Sequence, residues 1–381
     1  MRALHIITGL GVGGAEQQLR TLLRHLPADC DVVTLTNPGP VAQGLAADGV
    51  RVVHLGMAGN RDPRALPRLT GLIRQGRYDL VHTHLYRACL YGRIAARLAG
   101  VRAVVATEHS LGDTQIEGRR LSPGVRSLYL AGERLGRATI AVSASVADRL
   151  CRWGVPPQRV HVVPNGVDTA HFAYDAAARA AARDRLGLPS DAFVIGGVGR
   201  LVPGKRFDVL VRALAELPGD VRLLLVGAGP EEDRLRDAAR HLGVPDRVVL
   251  AGERPYLTAT AQESGLPALP ALLSAMDVLA SPSADEAFGL AVVEALAAGL
   301  PVLYVACPAV DDLPPGIDTG ATRIPGDPAS FARAALRVRA ARAGSRAPSR
   351  AARHYSITDS AAQHMRVYAA AMGGSTPRAS M

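Results

Sequence analysis

The stretch that most constrains this chain is Ser281-Pro-Ser-Ala-Asp-Glu-Ala-Phe-Gly-Leu-Ala-Val-Val-Glu-Ala-Leu-Ala-Ala-Gly-Leu-Pro301. The apolar run Asp277 to Ala280 predicts a buried strand, and Ser281 to Phe288 the loop at its carboxyl end. Gly289 to Ala298 is rich in Ala and Leu and predicts a helix, which Gly299 and Pro301 terminate. The first amides of such a helix, those of Phe288, Gly289 and Leu290, lack intrahelical acceptors, and the helix dipole favours an anion beside them. Glu286 stands in the loop, and Glu294 in the second turn on an otherwise apolar face. A carboxylate next to an anion site would repel a phosphate, so Glu286 suits neutral hydroxyls adjoining that anion. Hydroxyls beside a phosphate describe a nucleotide sugar, with Glu286 holding the sugar and Glu294 the ribose.

This stretch resembles the donor-site signature of the retaining glycosyltransferases of family 4. The glutamate spacing, the Phe-Gly-Leu that follows the first Glu, and the Glu-Ala-Leu-Ala-Ala-Gly-Leu-Pro run all match. The resemblance extends from about Leu4 to Tyr368. It implies an α/β chain of two Rossmann-like, doubly wound domains facing a cleft, the GT-B fold. It also implies a nucleotide diphosphate sugar (UDP-, GDP- or dTDP-linked) as co-substrate, with no metal or other cofactor.

Alternating strands and helices fit that expectation. Strands are predicted at Ala3–Thr8, Cys30–Thr36, Asp79–Thr83, Ala103–Thr107 and Thr139–Ser143, then at Ala192–Val198, Arg222–Val226 and Arg247–Leu250. A first domain over residues 1–170, acceptor-side by the resemblance, is followed by a linker at Thr169–Ala182. A donor domain follows over 183–355, and a last helix over 356–372 that in the GT-B fold returns to the first domain. At 381 residues two cores are expected.

Gly9-Leu-Gly11-Val-Gly-Gly14 spells a dinucleotide fingerprint. The next strand, however, ends at Thr34-Leu-Thr-Asn-Pro38 without the acid that would hold an adenine ribose, which speaks against a nicotinamide oxidoreductase. The loop reads instead as a close backbone approach to a ligand. By the resemblance, Gly14 and its neighbours approach the donor diphosphate or the acceptor. Glu16 either meets the acceptor or favours the first helical turn. His82 and His84 close one strand and His109 follows another, where strand ends meet ligands. His82 reads as structural, and His84 is a candidate on the acceptor side. His109 matches the position at which the family places a histidine near the transferred sugar. The histidine spacings put no metal-ligand set on one element.

In the second half, Gly199-Arg200-Leu-Val-Pro-Gly204-Lys205-Arg206 approaches a P-loop, but Arg206 stands where Ser or Thr would hold magnesium. Lys205 is the only lysine among 44 basic residues, which suggests a need for a compact ammonium. Gly199, Arg200 and Lys205 match the family's diphosphate clamp, and Arg254 lies where the family approaches the base. Residues 256–268 depart from the family as an insertion, and Asp311-Asp312 replaces its usual turn.

Net charge is +10 and uneven: the first 177 residues carry 21 Arg against 13 acids, the remainder 23 bases against 21 acids. A basic half attracts nucleic acid, an anionic membrane or an anionic substrate. Aromatics at 4% offer little for stacking on bases, so no nucleic-acid partner is expected. Peripheral membrane contact and a small-molecule or lipid acceptor stay open. Scattered cysteines and the absence of an apolar run of membrane-spanning length predict a cytoplasmic, thiol-reduced protein. A non-catalytic nucleotide-sugar binding protein and a GT-B sugar epimerase are the alternative functions.

Overall fold

The computed structural model describes residues 1–59, 62–112, 115–116, 119–254, 256, 267–341 and 346–373, with backbone only at 115, 119 and 120. The chain divides into two units, Met1–Gly166 with Ile357–Met381, and Val167–Ser356.

The first unit is built on a sheet of parallel strands β1 (Arg2–Gly9), β2 (Asp29–Asn37), β3 (Arg51–His54), β4 (Leu80–His84), β5 (Ala103–Glu108), β8 (Ala138–Ala141) and β9 (Val160–Val162). A two-stranded antiparallel ladder, β6 (Gln115–Ile116) with β7 (Arg119–Arg120), stands outside it. Spatial order is β3-β2-β1-β4-β5-β8-β9, so the winding reverses between β1 and β4. Alternation along β1 sends Leu4 and Ile6 into one apolar layer and Ala3 and Ile7 into the other. The final helix, Ile357–Ala371, covers the second layer with Ile357, Ala361, Val367 and Tyr368. It starts hard against Gly166, where an added Cβ would lie 2.4 Å from the Ile357 Cα.

The second unit has parallel strands β10 (Phe193–Val198), β11 (Val221–Val226), β12 (Val248–Gly252), β13 (Val278–Ser281), β14 (Val302–Tyr304) and β15 (Ala321–Arg323). Their order is β12-β11-β10-β13-β14-β15, reversing between β10 and β13. In open sheets of this kind the crevice at the reversal, beyond the strand carboxyl ends, is where ligands bind.

Two local readings are corrected. Residues 176–182, expected as linker, begin the helix Ala176–Arg185, nucleated by the Asp175 carboxylate, which accepts from the Ala177 and Ala178 amides. That helix belongs to the second unit because Arg179 and Arg183 grip Asp277 at 2.7 and 2.9 Å. Pro123 opens the helix Pro123–Glu133 at its first turn behind the Ser122 cap. Strands β3, β9, β14 and β15, three or four residues each, were not predicted. Among the described residues no helix is long and apolar enough to cross a membrane.

Candidate functional site

In the second unit both loops at the winding reversal carry the predicted residues. The loop after β10 leaves through Gly199, whose φ of +148° few other residues adopt, and whose carbonyl packs so closely on Gly227 that a Cβ there would sit 2.0 Å from it. A short turn, Pro203–Lys205, then aims Lys205 across the crevice. Its Nζ donates to Glu286 Oε1 at 2.5 Å, joining the loop after β10 to the loop after β13. Ser283 ties the same loops by donating to the Gly204 carbonyl at 3.1 Å. Arg200 is exposed beside them; its carbonyl accepts from the Val202 amide, and its side chain has no hydrogen-bond or ion-pair partner among the described residues.

The helix after β13 runs Leu290–Ala297, with Gly289 as its N-cap at φ +97° and no side chain capping it. An ordinary side chain is excluded at Gly289 twice over: by that φ and by Cys307, whose Sγ would lie 2.4 Å from an added Cβ. Phe288 does not present its ring to a ligand. The ring is buried, edge-on to Tyr355 at 5.2 Å, and its carbonyl accepts from the Ala309 amide and the Cys307 thiol. Only backbone groups of Phe288, Gly289 and Leu290 are left for an anion.

Glu294 is buried, as its apolar neighbours required. Burial pushes its carboxyl up to about 7, and a hydrogen bond from Tyr256 opposes that rise. The Tyr256 hydroxyl donates to Oε1 at 2.6 Å, and the Tyr256 ring packs edge-on against Phe172. Tyr256 was visible in the sequence only as the first residue of the 256–268 insertion; residues 257–266 of that segment lie outside the described residues. The Arg254 Nε is buried without a partner, and burial, then the neighbouring Arg185 charge, lowers the Arg254 pKa.

In the first unit, the histidines converge on one face of the sheet at its own winding reversal. His5 of β1 pairs in register with His82 of β4, and His84 stands two residues further along. His84 is not available to an acceptor: it is 1% exposed. Its Nδ1 meets His109 Nε2 at 3.1 Å, and its Nε2 meets His5 Nδ1 at 3.0 Å. His82 is structural, bonded to the Tyr368 hydroxyl at 2.6 Å and the Thr107 hydroxyl at 2.7 Å. His109 is half-buried. Burial, then repulsion from His364, lowers its pKa to about 3, and His5 shifts to about 3 for the same reasons. His84 and His82 also lie well below the usual imidazole range, through burial first and neighbouring imidazoles second. His5 was missed by sequence reasoning because a lone polar residue in an apolar strand carries no signal of its partners.

Among the described residues one group has metal-ligand chemistry, His5, His82 and His84, with nitrogens within 4.8 Å of one another. It contains no carboxylate to offset a cation, and both His82 nitrogens already have partners. Gly14 opens the first helix of this unit, exposed, behind Gly13. The Glu16 carboxylate folds back over Gly13, within 2.3 Å of where a Cβ would be.

The two sheets define a class, the two-domain Rossmann-like GT-B proteins, and solved structures agree. Anabaena Alr3699/HepE in complex with UDP and glucose aligns with a TM-score of 0.82 at 22% identity, over 97% of this chain and 100% of that one. Sucrose-phosphate synthase from Thermosynechococcus elongatus gives 0.74 at 21%, over 97% and 98%. Family profiles match each half: Glycosyltransferase Family 4 over residues 12–171 and Glycosyl transferases group 1 over residues 192–340. The D-inositol 3-phosphate glycosyltransferase of Salinispora arenicola is 32% identical over 335 residues, 77% of this chain and 72% of that protein. Its counterpart from Acidothermus cellulolyticus is 36% identical over 262 residues, 63% of this chain, and the match spans about half, 54%, of that relative's own length. The chain belongs to glycosyltransferase family 4.

Proposed function

We propose that this protein transfers a glycosyl group from a nucleoside diphosphate sugar to an acceptor hydroxyl, with retention at the anomeric carbon and without a metal. The observation that carries the reading is the meeting of Lys205 and Glu286 at 2.5 Å, beside a helix whose first amides are uncapped. An ammonium and open amides suit a diphosphate, and the carboxylate suits the sugar hydroxyls next to it. Glu294 already accepts a hydroxyl, that of Tyr256, which is the contact a ribose hydroxyl would make. Arg254 and nearby backbone would approach the base.

In the step itself the bond from the anomeric carbon to the diphosphate oxygen breaks, and a bond to the acceptor oxygen forms on the same face. The acceptor's proton passes to the departing phosphate. Arg200, Lys205 and the amides at Gly289 and Leu290 stabilise the charge that develops on the diphosphate. His109 contacts the transferred sugar on this reading. UDP-sugars head the donor screen because Alr3699/HepE is solved with UDP-glucose. D-inositol 3-phosphate heads the acceptors because the relatives bear its name and the first half is basic.

The test is turnover of UDP-, GDP- and dTDP-sugars by the wild type, Glu286→Ala and Lys205→Ala. Loss of roughly a hundredfold or more is expected on removing the Lys205 donor. Near-normal rates in both variants would end the proposal. Donor binding without transfer or hydrolysis by the wild type would favour a non-catalytic binding protein.

A further inference from the structure

Arg206 sits in a backbone conformation that its residue type disfavours. It follows Lys205 with φ +54° and ψ +35°, a left-handed geometry that glycine adopts freely and an arginine does not. Arg206 is half-buried, and its guanidinium takes a carbonyl rather than a carboxylate: Nη2 donates to the Gly326 oxygen at 2.9 Å. Gly326 stands just beyond β15, three places from β10 in the sheet.

Strain of this kind persists only where the surroundings over-determine it, and around Arg206 they do. Its amide donates to the Pro203 carbonyl at 3.1 Å, and its own carbonyl accepts from Val209 at 3.0 Å, at the start of the helix Asp208–Ala215. Gly326 leaves room for the guanidinium. An added Cβ there would lie 2.8 Å from Arg206 Nη1 and 3.4 Å from Val305 Cγ2.

The consequence falls on Lys205. Its ammonium rides on a flexible four-carbon stem, so it is placed only as well as the backbone beneath it. Before Lys205, the Gly204 carbonyl is tied to Ser283 in the loop after β13. After it, Arg206 is tied to Gly326 in the loop after β15. The turn is thus held on both sides of the residue whose Nζ meets Glu286 at 2.5 Å.

We propose that Arg206 is a positioning residue: anchored to the Gly326 carbonyl, it holds the turn that aims the Lys205 ammonium at Glu286 and at the donor diphosphate. The effect of the anchor on transfer rests on the functional reading above; the anchoring of Lys205 does not.

Two measurements decide it. Lys205 is the only lysine, so 13C-labelled lysine gives one set of Cε–Hε signals in the full-length, ligand-free protein. Glu286→Gln marks where those signals lie without the ion pair; signals that coincide with the wild type would mean that the pair is not made and would overturn the proposal. Arg206→Gly relieves the backbone but removes the anchor, and should move the signals most of the way to the Glu286→Gln position. Gly326→Ala presses only on the flexible end of Arg206 and should move them in the same direction. Combining the two should add little, because the same contact is lost each time. Wild-type signals in either folded single variant, or full addition in the double variant, overturn the anchor. The second measurement is turnover of a UDP-sugar. Arg206→Gly should lose roughly ten- to a hundredfold in kcat with donor KM little changed, and Arg206→Lys, which restores a donor to Gly326, should recover most of the loss. Equal loss in the glycine and lysine variants overturns the positioning role, and so does a rise in donor KM alone, which would make Arg206 a direct contact of the diphosphate. Absence of transfer by the wild type, with the lysine signals moving as expected, refutes the functional reading and leaves the anchoring of Lys205 standing.

Discussion

Glu294 lets burial be tested as an energy. Its ordinary carboxyl value is 4.5, and in the folded chain it rises to about 7, through burial and in spite of the Tyr256 hydrogen bond. The unfolded chain releases this proton first, so between those values the native state binds more protons and stability must fall as pH rises. The displacement corresponds to about 3 kcal/mol. That contribution is complete below about pH 4.5 and gone above about pH 7. Glu294→Gln keeps the shape and an acceptor for Tyr256 but cannot ionise. Other groups also titrate, so the informative quantity is the difference between wild type and variant, in which distant groups cancel. Thermal unfolding of both proteins at half-unit steps from pH 4 to 8.5 should show near-equal Tm values at the acid end. The variant should then gain progressively, by roughly 6–12 °C at the alkaline end for a unit of this size. Parallel curves over the whole range would refute the claim that Glu294 is held desolvated.

Other expectations follow from neighbouring contacts. Tyr256→Phe keeps the ring against Phe172 but removes the bond that lowers the Glu294 pKa, so the difference titration against Tyr256→Phe/Glu294→Gln should move to higher pH; an unmoved midpoint would show that the bond is not made in solution. Gly289→Ala faces both φ +97° and a Cβ 2.4 Å from the Cys307 Sγ, and should destabilise by about 1–3 kcal/mol in urea unfolding, whereas an unchanged midpoint would mean that the helix start adapts freely. His5, whose pKa falls from 6.5 to about 3, contributes stability that is whole above about pH 6.5 and lost on acidification. His5→Phe should therefore flatten the acid limb by about 2 kcal/mol at pH 5, and an unchanged acid limb would argue against a buried neutral His5.

Much of this protein was legible in one dimension. Apolar runs with their glycine and proline stops located nine strands to within a residue or two, because a buried strand and a helix end each leave a local pattern. The open helix start at Gly289, the buried Glu294 and the unusual Lys205 were readable on the same grounds: residue type against immediate neighbours. Local pattern missed four of the six strands that are only three or four residues long, and erred at Ala176–Arg185, where an alanine-rich segment read as linker is fixed by Asp277 almost a hundred positions away.

What the sequence by itself determined is the order of elements, the glycine turns and the candidate residues in each loop, since these depend on backbone geometry and short-range periodicity. Tertiary structure alone decided the partners: Lys205 with Glu286 across 81 positions, Tyr256 with Glu294 across 38, and His84 with His5 across 79. It also buried His84 between His5 and His109 and set the Phe288 ring edge-on to Tyr355 in the core. The physical reason is that hydrogen bonds and desolvation act between groups a few ångströms apart in space, and parallel strands become neighbours only after a helix has carried the chain back.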